Sequence, residues 1–286
     1  MRILMLGTAA IALSGCSFLG LGEKHVPTNY NSQTGYYGQQ ATYGHQAAQA
    51  PKSNCHSGNC LARWNLEGGL GTVFPAGKNI ITASRTNANN NRDFNSVSLG
   101  DAYRTGVRAE LGGSYALAPN TKATLIGHYE YADDQGIQNF GTVGGRELTG
   151  ALSDYKEYGA ELGLRQYFSP MGAPIVKSIR PYVEGRAGVA RVSDIGLKDS
   201  RIDGAAFSGA EIPLYDDSWV GTGAGLIGVE TPLTKYTTIG LETGIRYQSG
   251  LDSNNSVLSA GSPLGGLNNN RGRYSIPVTL RGRYRF

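Results

Sequence analysis

Apolar and polar positions alternate along the C-terminal stretch without a break. From Tyr274 to Phe286, the residues Tyr274, Ile276, Val278, Leu280, Gly282, Tyr284 and Phe286 fall on one face. Ser275, Pro277, Thr279, Arg281, Arg283 and Arg285 fall on the other. Side chains on a strand point to opposite faces with period two, so this pattern predicts a strand with an apolar, aromatic face and a basic one. The same alternation recurs to give eight segments, at about 63–74, 103–117, 122–132, 156–168, 181–193, 219–231, 236–248 and 274–286. Each has roughly the 9–13 residues that a tilted strand needs to cross a bilayer. In the seventh, Ile239, Leu241, Thr243, Ile245 and Tyr247 oppose Gly240, Glu242, Gly244, Arg246 and Gln248. In the fourth, Tyr158, Ala160, Leu162 and Leu164 oppose Glu157, Gly159, Glu161, Gly163 and Arg165. In the second, Val107, Ala109, Leu111, Tyr115 and Leu117 oppose Arg104, Arg108, Glu110 and Ser114. The sixth is weakest: Gly221, Gly223 and Gly225 are assigned to its inner face, and Ile227 and Val229 break its polarity.

The connections alternate in length. Those after the second, fourth and sixth segments are short, at 118–121, 169–180 and 232–235. Those after the first, third, fifth and seventh are long, at about 75–102, 133–155, 194–218 and 249–273, and rich in Asn, Gly, Ser and Asp. Short turns at one rim and long loops at the other are the asymmetry of a transmembrane barrel. The expected fold is therefore all-β: an eight-stranded antiparallel transmembrane β-barrel. A soluble β-sandwich would also alternate. It accounts neither for segments this long nor for the loop asymmetry. With eight strands both termini lie on the short-turn side. Loops as long as these are either functional or mobile.

Composition changes the picture in one respect. Charged residues make up 17% of the chain, against about 25% in an ordinary soluble domain. Mean hydropathy is nonetheless negative, because a barrel interleaves its apolar residues with polar ones. After Leu13 no apolar run approaches the ~18 residues of a membrane-crossing helix. The formal net charge of +4 is too small to argue for nucleic acid as a partner.

The N-terminal end carries an address. Arg2, the apolar run from Ile3 to Leu13 and the sequence Leu13-Ser14-Gly15-Cys16 have the layout of a secretory signal. Leu-Ser-Gly-Cys resembles a bacterial lipobox, which implies cleavage before Cys16 and acylation of that residue, palmitate included. An ordinary signal with an incidental cysteine is the other reading. The expected organisation is a lipoprotein signal peptide over 1–15, a lipidated low-complexity linker over 16–62 and a barrel over 63–286. The linker, with stretches such as Tyr30 to Gln40, lacks helix and strand periodicity and is expected to be a disordered tether. A flexible chain of that length spans roughly 35–40 Å. Its tyrosines would otherwise contact peptidoglycan or another periplasmic partner. Cys55 and Cys60 form an even pair in an exported chain, the usual basis of a disulfide. A metal site from Cys55, His56 and Cys60 would lack a fourth ligand.

Eight strands enclose an interior just wide enough for side chains to fill it. The inward carboxylates expected are Glu67, Glu110, Glu130, Glu157, Glu161, Glu184 and Glu242. Against them stand Arg104, Arg108, Arg165, Arg186, Arg246, Arg281, Arg283 and Arg285, with His128 on the same face as Glu130. Charges withdrawn from water are tolerated only when paired and hydrogen-bonded. A lumen closed by a Glu–Arg network is expected, with a narrow or gated ion pathway through that network as the alternative. His128 beside a carboxylate has the elements of a general base, but no motif supplies a nucleophile. No catalytic residue, metal ligand or cofactor is assigned, and no glycine-rich loop has the strand–loop–helix setting of a nucleotide site.

A closing strand that ends on Tyr284 and Phe286 resembles the C-terminal assembly signal of bacterial outer-membrane proteins, which the barrel assembly machinery reads. Residues 63–286 as a whole resemble the eight-stranded OmpA-type and opacity-protein-like outer-membrane barrels. This resemblance rests on architecture and the terminal strand rather than on an internal motif. It implies a Gram-negative outer-membrane protein set in lipid, with long loops extracellular, termini periplasmic and Cys16 anchored in the inner leaflet. It further implies a non-enzymatic structural, adhesion or partner-binding role in the cell envelope. A small or gated pore is the second expectation, and a barrel enzyme acting on lipid the third. The chain departs from OmpA-type proteins in its lipobox and tether. A soluble peptidoglycan-binding domain like theirs is not expected in it.

Overall fold

A computed structural model describes residues 63–77, 79–81, 84–86, 92–171, 178–254, 264, 267 and 271–286. The signal, the tether, Cys16, Cys55 and Cys60 lie outside the described residues. Eight long strands form the barrel wall: β1 (Trp64–Ala76), β6 (Gly106–Ala118), β7 (Thr121–Ala132), β10 (Tyr155–Tyr167), β11 (Arg180–Val192), β15 (Ser218–Pro232), β16 (Thr237–Gln248) and β17 (Arg273–Arg285). Each pairs antiparallel with its neighbours in chain order, and β17 closes the ring on β1, with Asn65 opposite Arg285 and Ala76 opposite Tyr274. The wall is an eight-stranded antiparallel transmembrane β-barrel.

Period two decides what each face meets. Leu70, Leu111, Leu162, Ile245 and Leu280 project outward and stay more than half exposed. In water such a band would be an aggregation surface; in a bilayer it is the lipid contact. Inward positions are buried and mostly polar. Glycines make room among them where large side chains converge. A Cβ on Gly163 would come within 2.5 Å of Thr124 Oγ1 and 2.9 Å of Arg186 Cγ.

One strand has the opposite facing from that expected. In β15 the glycines 221, 223 and 225 lie on the lipid side together with Trp219, Ile227 and Val229. Val220, Thr222, Leu226 and Glu230 point inward. Glycine gives no sign of which face it occupies, so the large apolar residues set the phase, and they require lipid.

Short turns join β6–β7, β10–β11 and β15–β16 at one rim. At the other rim the long connections are not bare loops. They carry β2 (Asn79–Ile81), β3 (Ser84–Thr86), β4 (Arg92–Phe94), β5 (Val97–Ser98), the single-turn α1 (Leu99–Ala102), β8 (Gln138–Val143), β9 (Arg146–Leu152), β12 (Ile195–Ile202), β13 (Ala205–Ala206) and β14 (Ile212–Tyr215). A seven-stranded sheet in the order β13-β12-β9-β8-β4-β3, with β14 also on β12, binds these connections into one cap. Two hairpins set its register. Gly144 and Gly145, at φ 61° and 77°, join β8 to β9; Asp203 and Gly204, at 50° and 78°, join β12 to β13. Positive φ at both central residues is the twist-matched type I′ arrangement.

The cap has its own apolar core. Ile81, Phe94, Phe140, Leu148, Leu197, Leu214 and Tyr215 are buried, and they pack continuously with Ala132, Tyr155, Ala190, Val192 and Val220 from the upper ends of the barrel strands. The barrel is therefore roofed by a folded layer at the rim of the long connections.

Candidate functional site

The interior is filled by interlocked ion pairs. Toward the short-turn rim, Arg165 of β10 reaches three strands. Its Nη2 donates to Glu67 at 2.9 Å, its Nε to Glu184 at 2.7 Å, and its Nη1 to Glu230 at 3.3 Å. Its guanidinium also lies 4.8 Å from the centre of the Tyr182 ring. Arg283 donates to Glu230 at 3.1 Å and to the Tyr167 hydroxyl.

At mid-height a four-charge ring crosses the lumen. Arg186 donates to Glu110 at 3.2 Å and to Glu242 at 2.9 Å. Arg281 donates to the same two carboxylates, to Glu242 at 2.8 Å. Glu184 and the Tyr182 hydroxyl extend the ring at 2.8 Å each, through Arg186 and Glu242 respectively. Toward the cap, Arg108 donates to Glu110 at 2.8 Å and to Glu130 at 3.1 Å. Arg246 holds both oxygens of Glu161, at 2.7 and 2.9 Å. Thr124 and Thr222 donate to Glu184 and Glu161 at 2.7 and 2.9 Å. His128 Nε2 faces Glu157 at 3.0 Å, and that carboxylate also accepts from the Tyr155 hydroxyl and the Gln248 amide.

Nearly all of these groups are buried to within a few per cent of full enclosure. Two expected members stand apart. Arg104 lies before β6 begins, is exposed, and takes part through its backbone N–H, bonded to the Asp133 carbonyl at 2.9 Å. Arg285 is exposed at the short-turn rim and donates to the Lys235 carbonyl at 3.1 Å. Both have the inward parity but sit beyond the enclosed part of the wall, where water replaces the network. His128 is likewise not coupled to Glu130 as the shared face suggested. Glu157 on the adjacent strand β10, the residue opposite Glu130, takes the ring nitrogen, and Arg108 takes Glu130. Tyr284 and Phe286 are exposed on the outer face and touch edge-on, with ring centres 5.4 Å apart.

Sequence reasoning missed Glu230, because β15 was read in the opposite phase. Once Trp219 and Ile227 are placed in lipid, Glu230 falls inward. It also missed the uncharged partners Tyr155, Tyr167, Tyr182, Thr124 and Thr222, while Gln248 lies inward as its alternation with Arg246 predicts. Tyr167 alternates in phase with Arg165, which was the available signal. Among the described residues no group of three or more His, Cys, Asp or Glu side chains is arranged to hold a metal ion.

The other candidate surface is the outside of the cap. Lys198, Asp199, Ser200, Arg201, Ser208 and Glu211, between β12 and β14, border an open polar groove of about 420 Å³. Both signs of charge are present, so the groove suits a polar partner rather than a lipid tail.

A closed antiparallel ring of eight strands, apolar outside and ion-paired inside, defines a membrane β-barrel. Three solved structures are among those similar to this chain in fold. Neisserial surface protein A is 13% identical, with a TM-score of 0.39, covering 78% of this chain and 97% of its own. The outer membrane protein OprG from Pseudomonas aeruginosa is 17% identical, with a TM-score of 0.38, covering 78% and 95%. Ail, the attachment invasion locus protein of Yersinia pestis, is 13% identical, with a TM-score of 0.30, covering 78% and 98%. No protein-family model matches the chain, and no curated protein matches it.

Proposed function

We propose that this protein is a non-enzymatic lipoprotein barrel of the bacterial outer membrane that presents a folded cap to a partner at the cell surface. The observation that carries this is the pairing of a filled lumen with an ordered roof. Glu67, Glu110, Glu161, Glu184 and Glu242 are held by arginines across the whole cross-section, while the long connections form a packed layer. A wall stiffened from within and covered above is suited to display a surface, and the ion pairs that span the lumen support a closed interior. The loop asymmetry supports an orientation with the cap extracellular and the short turns and termini periplasmic. Cys16 then tethers the chain to the inner leaflet, and residues 17–62 reach toward peptidoglycan or a periplasmic partner. Strand β17 with Tyr284 and Phe286 engages the barrel assembly machinery.

Planar-bilayer recording with the purified chain tests the closed lumen. No stable conductance is expected; a reproducible unit conductance would establish the pore in its place. Affinity capture from native membranes, with wild-type protein and with a variant shortened between β12 and β14, tests the display role. Loss of a specific surface partner in the variant supports it, and an identical set of partners from both counts against it. Mass spectrometry of the N-terminal peptide tests the lipid on Cys16.

A further inference from the structure

Charge is divided unequally between the two ends of the barrel. Each of the four long connections contains aspartate, whereas the short turns 118–121, 169–180 and 232–235 contain no Asp or Glu. The carboxylates nearest the short-turn rim are Glu67, Glu184 and Glu230. Arginines of the lumen already hold all three: Arg165, Arg186, Arg281 and Arg283. Lys122, Arg180, Lys235 and Arg285 also stand at that rim, and among the described residues none of these forms an ion pair. Their partners are neutral. Lys122 and Arg180 lie 5.5 and 4.5 Å from the centre of the Tyr167 ring, and Arg180 donates to Asn120 Oδ1 at 2.7 Å. Lys235 lies 4.7 Å from the centre of the Tyr236 ring.

An exposed cation in water needs no partner, since a surface ion pair contributes little. What distinguishes Lys235 and Arg285 is where they lie. Both are exposed, and two bonds fasten Arg285 to the turn that carries Lys235. Its Nη2 donates to the Lys235 carbonyl at 3.1 Å, and its backbone N–H to the Tyr236 carbonyl at 2.8 Å. Thr234 Oγ1 stiffens the turn by accepting from the N–H groups of Tyr236 and Thr237, at 3.2 and 3.0 Å. Ammonium and guanidinium are thus carried on one arc of the rim. An aromatic cluster occupies the same arc. Tyr236 lies 6.2 Å from Tyr284 between ring centres, Tyr284 lies 5.4 Å from Phe286, and all three are exposed. Aromatic side chains of a barrel gather at the level of the lipid headgroups. A lysine and an arginine at that level face lipid phosphates. A zwitterionic headgroup brings its own cation to offset the phosphate, whereas an anionic one does not, so a rim with surplus positive charge favours the anionic lipid.

We propose that Lys235 and Arg285, with Tyr236, Tyr284 and Phe286 beside them, form a binding site for the phosphate of an anionic phospholipid in the leaflet at the short-turn rim. The two cations take the phosphate oxygens, and the rings lie along the start of the acyl chains. Lys122 and Arg180, at the mouth of the lumen, add to the field without touching the lipid. The site spans the end of β17 and the turn between β15 and β16, so a bound lipid braces the closing strand.

The full-length protein in detergent is equilibrated with equal amounts of phosphatidylglycerol and phosphatidylcholine, captured and washed, and its retained lipids are quantified by mass spectrometry. Wild-type protein is expected to retain phosphatidylglycerol in excess. Lys235→Gln and Arg285→Gln are each expected to lower that preference about fivefold, the effect of one cation at a membrane surface. Lys235→Gln carries the test if Arg285→Gln loses the heat-modified gel band of the folded barrel. Arg201→Gln, which removes an exposed cation of the cap, is expected to leave the preference unchanged. A fall equal to that of Lys235→Gln would assign the preference to net charge and overturn the site. Inorganic phosphate, compared with chloride at equal ionic strength, is expected not to displace the lipid; displacement would make the arc a site for a free anion and overturn the lipid as its occupant. Equal retention of the two lipids by wild-type protein would overturn the proposal outright.

Discussion

Replacing Arg186 by Met asks whether the lumen network fixes the barrel. Arg186 contacts Glu184, Glu110 and Glu242 at 2.8, 3.2 and 2.9 Å, and its side chain is 1% exposed. Each carboxylate keeps another partner in the variant: Arg165 for Glu184 at 2.7 Å, Arg108 for Glu110 at 2.8 Å, Arg281 for Glu242 at 2.8 Å. The loss is thus one compensating charge in an enclosed space, not an orphaned group. Removing one partner of a buried pair costs about 3–5 kcal/mol; the surviving contacts argue for about 3. With a urea dependence near 2 kcal/mol per molar, the unfolding midpoint falls by about 1.5 M. Adding Glu242→Gln restores the charge balance and should recover about 2 kcal/mol of that loss, a coupling within the range found for contacting residues. Tryptophan emission reports the transition directly, because Trp64 and Trp219 are both exposed on the lipid face. A midpoint for Arg186→Met unchanged from wild type would refute the reasoning, and so would a double variant no more stable than the sum of its singles.

Further outcomes follow from the packing. Gly163→Val should prevent folding or shift the heat-modified gel band of the barrel, because a Cβ there would come within 2.5 Å of Thr124 Oγ1. Gly225→Ala, on the lipid face with no atom near its Cβ, should match wild type in the same assay. Leu280→Arg should cost about 2–4 kcal/mol, since Leu280 is exposed midway along the lipid-facing side; liposome refolding yields would show the deficit. Phe140→Ala, in the cap core, should cost about 3–5 kcal/mol locally, making the cap sensitive to protease while the barrel stays resistant.

The barrel was legible because its signal is repeated. Lipid on one side and carboxylates or arginines on the other impose period two at each strand, and the eight expected segments overlie β1, β6, β7, β10, β11, β15, β16 and β17 with ends within about three residues. Facing was legible where large side chains marked both sides, as in β16. It fails in β15, where alternate glycines carry no mark of the face they occupy. That error hid Glu230 and, with it, the partner of Arg283. Arg104 and Arg285 show a different limit. Parity says which way a side chain points but not where the wall ends, and both lie past the enclosed region. The cap was hidden by composition. Asn- and Gly-rich connections look unstructured, although Val143-Gly144-Gly145-Arg146 and Ile202-Asp203-Gly204-Ala205 are the short-range marks of tight hairpins. Its burial depends on four connections meeting, which no single segment records.

The ring closure between β17 and β1 bears on the order in which the molecule can be built. Arg281 and Glu67 are 214 positions apart in the chain yet bonded in the lumen, and Glu67 waits also for Arg165, 98 positions on. Contacts of such separation form slowly and late. While the chain is being made, the first strand therefore has an unpaired edge and a carboxylate with no arginine to meet it. Neither can be satisfied in part, since half a barrel exposes two open edges to lipid. Completion is all-or-none: a polypeptide missing β17 loses its last wall and, with Arg281, one partner each of Glu67 and Glu110.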